Sequence, residues 1–499
     1  MTLPQPTGDA AVSTLTIEIP VTRPRTFLPE RYAHRRSGSP PRPAFRLETV
    51  SVTLYYPTSK DPLPSTSKHT WLPAPRSSSL AGLLRYAGFN HGAWSYAAIL
   101  PAWALGLWRT KLPTRQPGPL ATNTSSVPLP TAIFSPGLAG TPSTYSVYCS
   151  RLASHGIVVA ALDHRDMTSP ASFVHSSRGG KMEEVVYTKE TDLTEDEQAG
   201  PQWLYRRTQL AFRRAEVYEA SLLLQRLNAG EGAAILEAST RKDTVKDIQD
   251  AQLPLWKGRL DLTSTDGKAT SRLLGVGHSF GAATILSCIN PALAPVPELE
   301  PQEPSSESLP DFSVGMLLDP WVQPLAEDVP LPASPSKPPP IFVVNSQGFT
   351  LWSAEFARVK KLCSTFASAC AVTPDGRKGW LTTLTGTQHT DFSDFPFLLP
   401  RFFAKTKKEQ ENDTEEGEGA KDLVEALPQP SAVSKTSGYM DVFEALSLRV
   451  LLDGNRDDGL RVRWEGKDVK LKRETRGGLL LRHALREEDM VGAEAGAGL

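Results

Sequence analysis

Residues 272–289 read RLLGVGHSFGAATILSCI: an apolar run, a G-x-S-x-G turn and a second apolar run. The first run suits a buried strand and the second a helix start. Joined through Gly277-His278-Ser279-Phe280-Gly281, they predict a strand–turn–helix unit with the serine at a sharp bend. Glycine is needed on both sides because side chains there would collide with the neighbouring strand and helix. The bend holds Ser279 in a strained backbone, its hydroxyl exposed above the sheet and its neighbouring N–H groups free. The five-residue pattern is weak by itself, since Gly and Ser are common. The strand before it and the helix after it give it weight against a plain structural turn.

Working outward, similar runs recur at 131–135 (TAIFS), 156–162 (GIVVAAL), 313–319 (SVGMLLD), 341–345 (IFVVN) and 380–385 (WLTTLT). Continuous apolar strands are buried on both faces, as in a parallel sheet. At 48–56, ETVSVTLYY alternates and predicts a strand with one polar face. Between strands lie helical patterns. In 203–227, Trp203, Leu210, Val217 and Leu224 recur every seven residues, an apolar stripe on a long helix carrying Arg and Glu elsewhere. Strands alternating with helices predict a mostly parallel, doubly wound α/β sheet flanked by helices. With the serine bend, this becomes an α/β-hydrolase fold with long Pro-rich loop insertions.

The chain has 499 residues, 39% hydrophobic and 22% charged, an ordinary balance for a globular protein. A formal net charge of -1 offers no clustered basic face, so no nucleic-acid partner is expected. Residues 1–45, rich in Pro and Arg, read as a flexible arm, and 46–455 as the α/β-hydrolase domain. Within it, 405–436 is charge-dense and poor in aromatics, the composition of a disordered insertion. At 439–453, Phe443, Leu446 and Val450 follow helical spacing, predicting a helix that packs back on the domain. Residues 456–499 are left unassigned. Cys149, Cys288, Cys363 and Cys370 are too few and too spread for a disulfide scaffold or zinc site and read as reduced thiols. MTLPQPTGDAAVSTL lacks a positive stretch before an apolar core, so no signal peptide is expected and a cytoplasmic location follows by default. The run AWSYAAILPAWALGLW at 93–108 is shorter than the roughly 20 residues that span a bilayer. It reads as a buried hairpin or as an interfacial patch for peripheral membrane contact.

A serine hydroxyl needs a base to take its proton. In this fold the chain order is serine, acid, histidine. His389, in GTQHTDF after the strand WLTTLT, is the histidine downstream of Ser279 that precedes the charged insertion. The acid belongs at the end of a strand between them, and Asp319 ends SVGMLLD; Asp311 and Asp375 are rivals that end no apolar strand. The oxyanion requires two backbone donors. Phe280, after the nucleophile, supplies one, and Leu138 in FSPGLAG (134–140) the other, the glycines letting the backbone approach the ester. Asp163-His164-Arg165-Asp166 reads as a hydrogen-bonded cluster after a strand rather than a second site. No metal or organic cofactor is needed for this chemistry.

These stretches together resemble the platelet-activating factor acetylhydrolases, calcium-independent serine phospholipases of the A2 type. The resemblance rests on 134–166 (FSPGLAGTPSTYSVYCSRLASHGIVVAALDHRD), GVGHSFGAATIL (275–286), LLDPWVQPL (317–325), FVVNSQGF (342–349) and GTQHTDFSDFPF (386–397). It covers roughly 45–455. It implies hydrolysis of short or oxidised acyl chains at the sn-2 position of phospholipids, the triad Ser279, Asp319 and His389, oxyanion donors Leu138 and Phe280, and association with lipid surfaces. Ala282 stands where the family often has glycine, and Pro320 where a small residue is usual after the acid. Secreted members carry a signal peptide, so the resemblance implies an intracellular, fungal-like relative. Two other readings stay open at this point: a general carboxylesterase or lipase on the same fold, and a lipid-binding protein with a silent triad.

Overall fold

The computed structural model describes residues 3–34, 41–58, 69–86, 106–121, 127–176, 180–193, 201–262, 273–299, 309–327, 329, 331, 338–369, 379–398, 436–451, 461–464, 467–470 and 480–483. Its frame is a 10-stranded sheet. We number the strands of its main path β1 (Ala11–Phe27), β2 (Phe45–Thr58), β3 (Leu129–Ser135), β4 (Val158–Leu162), β5 (Leu273–His278), β6 (Val314–Leu318), β7 (Ile341–Ser346), β8 (Trp380–Leu384) and β9 (Leu480–His483). Their spatial order is β1-β2-β4-β3-β5-β6-β7-β8-β9. From β4 across to β8 every neighbour is parallel. The pairs β1–β2, β2–β4 and β8–β9 are antiparallel. Together with the serine bend after β5, this is the α/β-hydrolase fold.

Five helices cover the two faces: α1 (Ser146–Ser154), α2 (Leu204–Ala229), α3 (Phe280–Ile289), α4 (Ser353–Ala369) and α5 (Thr436–Leu451). Successive strand side chains point to opposite faces. On β3, Ile133 joins the core beneath α2, α3 and α4, with Leu210, Leu224, Ile285 and Val359. Its neighbours Ala132 and Phe134 face the other core, under α1 and α5, with Leu152, Met440 and Phe443. Each strand therefore buries both faces, which is why β3 to β8 carry so few charges. α5 packs back onto the domain as its spacing predicts. Phe443 meets Phe392 with ring centroids 4.1 Å apart, so truncating it to alanine would cost on the order of 3–5 kcal/mol.

Within 1–45, expected as a flexible arm, Ala11–Phe27 is a strand of the sheet. β1 pairs with β2 from Ala11 to Phe27, with a shift between Pro20 and Arg25, and Leu15, Ile17 and Ile19 are buried. Prolines are tolerated because β1 is an edge strand, and the irregularity falls among them. The polar face expected on β2 is buried too. Thr49 donates to Glu18 at 2.7 Å, and the hydroxyls of Thr53 and Thr16 lie 3.0 Å apart, so β1 covers what composition suggested was open to water. The charged insertion at 405–436, Cys370 and most of 93–108 lie outside the described residues; Cys149, Cys288 and Cys363 are buried. In the stretch left unassigned, Arg461–Trp464 and Lys467–Lys470 form a hairpin, and β9 edges the sheet. Among the described residues no helix is long and apolar enough to cross a membrane.

Candidate active site

Parallel strands end at one edge of a sheet, and loops leaving that edge at its centre meet. The segments after β3, β5, β6 and β8 carry Leu138, Ser279, Asp319 and His389 respectively.

Ser279 is the bend itself, with φ 56 and ψ -120, a conformation L-residues avoid. Its N–H donates to Leu318 O at 2.8 Å and its carbonyl accepts from Trp321 N–H at 3.2 Å, so the backbone on both sides of Asp319 fixes it. The glycines are required by space. A Cβ on Gly277 would lie 2.4 Å from Gly281 O, and one on Gly281 would lie 1.9 Å from Ser135 O. The serine itself is 7% exposed.

Asp319 is fully buried and also left-handed, at φ 43. Its Oδ1 accepts Ser346 N–H at 2.5 Å; its Oδ2 accepts the Ser346 hydroxyl at 2.6 Å and faces His389 Nδ1 at 3.0 Å. With Nδ1–H donated to a carboxylate, His389 Nε2 is left as the basic nitrogen. Two rings hold the imidazole in plane: Phe349 stacks on it at 5.0 Å and 14°, and His278 lies at 4.5 Å on centroids. His278 immediately precedes Ser279, which brings the imidazole to the Ser279 side of the edge.

The loop after β3 presses on the serine: a Cβ on Gly137 would lie 2.9 Å from Ser279 Cβ. Neither Leu138 N–H nor Phe280 N–H donates a hydrogen bond among the described residues, whereas Ala139 N–H bonds Thr168 O at 2.9 Å. A backbone donor directly after Ser279 and another in the loop packed on it are the kind of groups an oxyanion requires.

Sequence reasoning missed the supports. Tyr145 is buried and its hydroxyl is held above its ordinary pKa by that burial, so it keeps its proton. It accepts Gly137 N–H at 3.2 Å and therefore donates to His278 Nδ1 at 2.8 Å. Burial and the neighbouring His389 keep His278 well below the usual imidazole range, hence neutral. Asp394 accepts Ser146 N–H, Val147 N–H and Trp71 Nε1–H, fastening the His389 loop to the start of α1. Burial raises its pKa to about 6, against those hydrogen bonds. Arg213 pairs with Asp166 at 2.7 Å and donates to Pro136 O at 2.8 Å, buckling the loop after β3 to α2. A polar group on a helix face gives no sign of such long-range pairing; Arg213, Arg214, Glu216 and Glu219 are all buried, where the helical pattern put them with solvent.

The Asp163–Asp166 stretch is indeed a hydrogen-bonded cluster. His164 lies between Ser135 Oγ at 2.8 Å and Glu216 Oε2 at 2.6 Å. His278, Asp319 and His389 have potential metal-ligand atoms within 4.8 Å of one another. His278 Nδ1 has Tyr145 as its partner, and both oxygens of Asp319 hold Ser346, one of them also His389.

The family model "Platelet-activating factor acetylhydrolase, isoform II" matches residues 44–424. A platelet-activating factor acetylhydrolase of Gallus gallus is 25% identical over 287 residues, 55% of this chain and 55% of that protein. The Cavia porcellus protein of the same name is 27% identical over 360 residues, 71% of this chain and 65% of its own length. A putative phospholipase A2 of Schizosaccharomyces pombe is 28% identical over 384 residues, 73% of this chain and 79% of its own length. The chain thus spans between 55% and 65% of the first two relatives. Among solved structures, a ferulic acid esterase from Streptomyces cinnamoneus aligns with 97% of this chain and 99% of its own, at 14% identity and a TM-score of 0.43.

Proposed function

Since the chain belongs to the platelet-activating factor acetylhydrolase isoform II family, we propose that it is a serine hydrolase of the sn-2 acyl ester of phospholipids. In this reading it accepts acetyl, short or oxidised chains, the 1-alkyl-2-acetylglycerophosphocholine esterase reaction, and releases lysophospholipid and carboxylate. The observation that carries the reading is the Asp319–His389 hydrogen bond of 3.0 Å at the strand edge where Ser279 bends.

In the proposed mechanism, His389 Nε2 removes the Ser279 proton as Oγ attacks the ester carbonyl. Asp319 keeps the imidazole in the right tautomer and stabilises the imidazolium. Leu138 N–H and Phe280 N–H receive the negative oxygen of the tetrahedral intermediate. Collapse expels the glycerol oxygen, which takes the proton from His389. Water, deprotonated by the same nitrogen, then cleaves the acyl-enzyme. Neutral His278 supports this cycle, because a second cation beside His389 would oppose formation of the imidazolium.

The test compares phosphatidylcholines bearing short sn-2 chains with p-nitrophenyl esters of equal chain length. Higher kcat/KM on the phospholipid is expected. A preference for the simple ester or for acylglycerols would assign the chain to general esterase or lipase chemistry instead. Peripheral contact with lipid through 93–108 and a cytoplasmic location belong to the same reading. Liposome flotation with and without that segment, and cell fractionation, check them.

A further inference from the structure

Arg206 and Arg213 stand seven residues apart on α2, so they share one stripe of the helix. Both reach the ring of Phe280, the residue after the nucleophile: the Arg213 guanidinium carbon lies 4.7 Å from its centroid and that of Arg206 6.0 Å. Their charges meet different fates. Arg213 is buried and neutralised by Asp166. Arg206 is half-buried, and its Nη1 donates a hydrogen bond of 2.8 Å to the neutral Gln209 Oε1. Among the described residues no carboxylate lies within ion-pair distance of it.

What surrounds Arg206 is aromatic. Its guanidinium carbon is 5.8 Å from the Trp321 ring and 5.6 Å from that of Tyr205. Trp321 is joined to the nucleophile through its N–H on Ser279 O, and its ring meets those of Phe280 at 5.6 Å and Trp203 at 5.9 Å. Trp203 holds a left-handed backbone, φ 71, at the head of α2, a strained conformation for a bulky residue and one that concentrates at functional sites. A guanidinium carries five N–H donors, so the bond to Gln209 leaves others for an anion that can accept two parallel bonds, such as a phosphate.

We propose that Arg206 is the specificity residue that binds the phosphodiester of the substrate. The inference rests on the reading of the chain as an sn-2 phospholipid esterase and names the group that distinguishes a phospholipid from a simple ester. In such a lipid the sn-2 ester and the phosphorus are separated by two glycerol carbons and one oxygen. A carbonyl held by Phe280 N–H therefore brings the phosphate toward the cation standing over the Phe280 ring. The negative group replaces the missing carboxylate partner, and the aromatic rim limits its competition with water.

The test uses the full-length protein with Arg206→Gln and Arg206→Lys. The kcat/KM ratio between 1-alkyl-2-acetylglycerophosphocholine and p-nitrophenyl acetate should fall about tenfold or more in the glutamine variant, mainly through KM. Lysine should restore part of it. Equal losses on both substrates would mean a structural role and overturn the proposal. A second arm measures inhibition of p-nitrophenyl acetate hydrolysis by dodecylphosphocholine and by uncharged dodecyl maltoside, each below its micelle concentration. Arg206→Gln should raise the inhibition constant of the phosphocholine about tenfold and move that of the maltoside far less. An unchanged phosphocholine constant also overturns the proposal. If the wild type cleaves p-nitrophenyl acetate and not the phospholipid while Arg206-dependent inhibition persists, the substrate reading fails and the anion site stands.

Discussion

Ser135, His164 and Glu216 form a hydrogen-bonded row with contacts of 2.8 and 2.6 Å, and Ser279, His389 and Asp319 gather at the end of the neighbouring strand. By residue type the two sets are equivalent. By surroundings they are opposites. Ser135 and His164 are 0% and 1% exposed, while the His389 side chain is 39% exposed and Ser279 lies just beneath the surface. Ser135 sits in a regular strand; Ser279 is forced to positive φ by the bend. Burial also pushes His164 well below and Glu216 well above their ordinary pKa ranges, which opposes the imidazolium–carboxylate pair a catalytic cycle must form. Asp319 has a serine N–H and a hydroxyl to steady its charge, and its histidine reaches solvent. A row of hydrogen bonds is therefore no triad by itself. Access, a serine strained at a bend and a carboxylate steadied by hydrogen bonds separate the outer set from the inner one.

The largest effect expected from this contrast is on the two serines. Ser279→Ala should lower kcat for ester hydrolysis by at least about 10⁴-fold with little change in thermal stability. Ser135→Ala should do the reverse: kcat within about tenfold of wild type, and a loss of about 1–3 kcal/mol in denaturant unfolding, because His164 Nε2 loses its partner in a dry site. Comparable kinetic losses in both would dissolve the distinction. Asp319→Asn comes next. It leaves the loop in place but favours the wrong tautomer of His389, so kcat should fall about 10³- to 10⁴-fold with KM little moved.

The smallest effect concerns burial of charge, the factor that silences the inner row. Glu355, on α4, accepts Val322 N–H three residues beyond Asp319, and burial raises its pKa from 4.5 to about 7. A folded-state pKa above the unfolded one means the folded chain holds the proton longer. Its favourable contribution is thus complete below about pH 4.5 and lost as pH rises through about 7. Replacing it by Glu355→Gln should improve stability relative to wild type by on the order of 2 kcal/mol more at pH 8 than at pH 5, read by paired thermal melts. A difference that shrinks toward pH 8 would contradict the sign.

Much of the outer site is legible in the sequence because its logic is local. β3 to β8 are continuous apolar runs, and Ser279, Asp319 and His389 each stand where such a run ends. The inner row is legible only in part. His164 declares itself in a polar cluster after β4, but Glu216 lies on α2 among residues that read as a solvent face, and its partners come from remote strands. The same blindness made β1 look like an arm. Glu18, charged and within that stretch, is buried against Arg165 at 2.9 Å and His175, a pairing no local window contains. Burial tends to raise the Glu18 carboxyl, but Arg165, His175 and Thr49 together lower it to about 2. Polar groups paired across the fold carry no periodic signal, and where they sit, composition misleads.

The decisive measurement is where a fluorophosphonate attaches. Such a probe phosphonylates a serine only when a base activates its hydroxyl and vacant donors receive the phosphoryl oxygen. Digestion of the labelled full-length protein and peptide mass spectrometry should find the adduct on the peptide containing Ser279, with none in Ser279→Ala and undiminished labelling in Ser135→Ala. An adduct that persists in Ser279→Ala, or that maps to another serine, would contradict the assignment on which the rest is built.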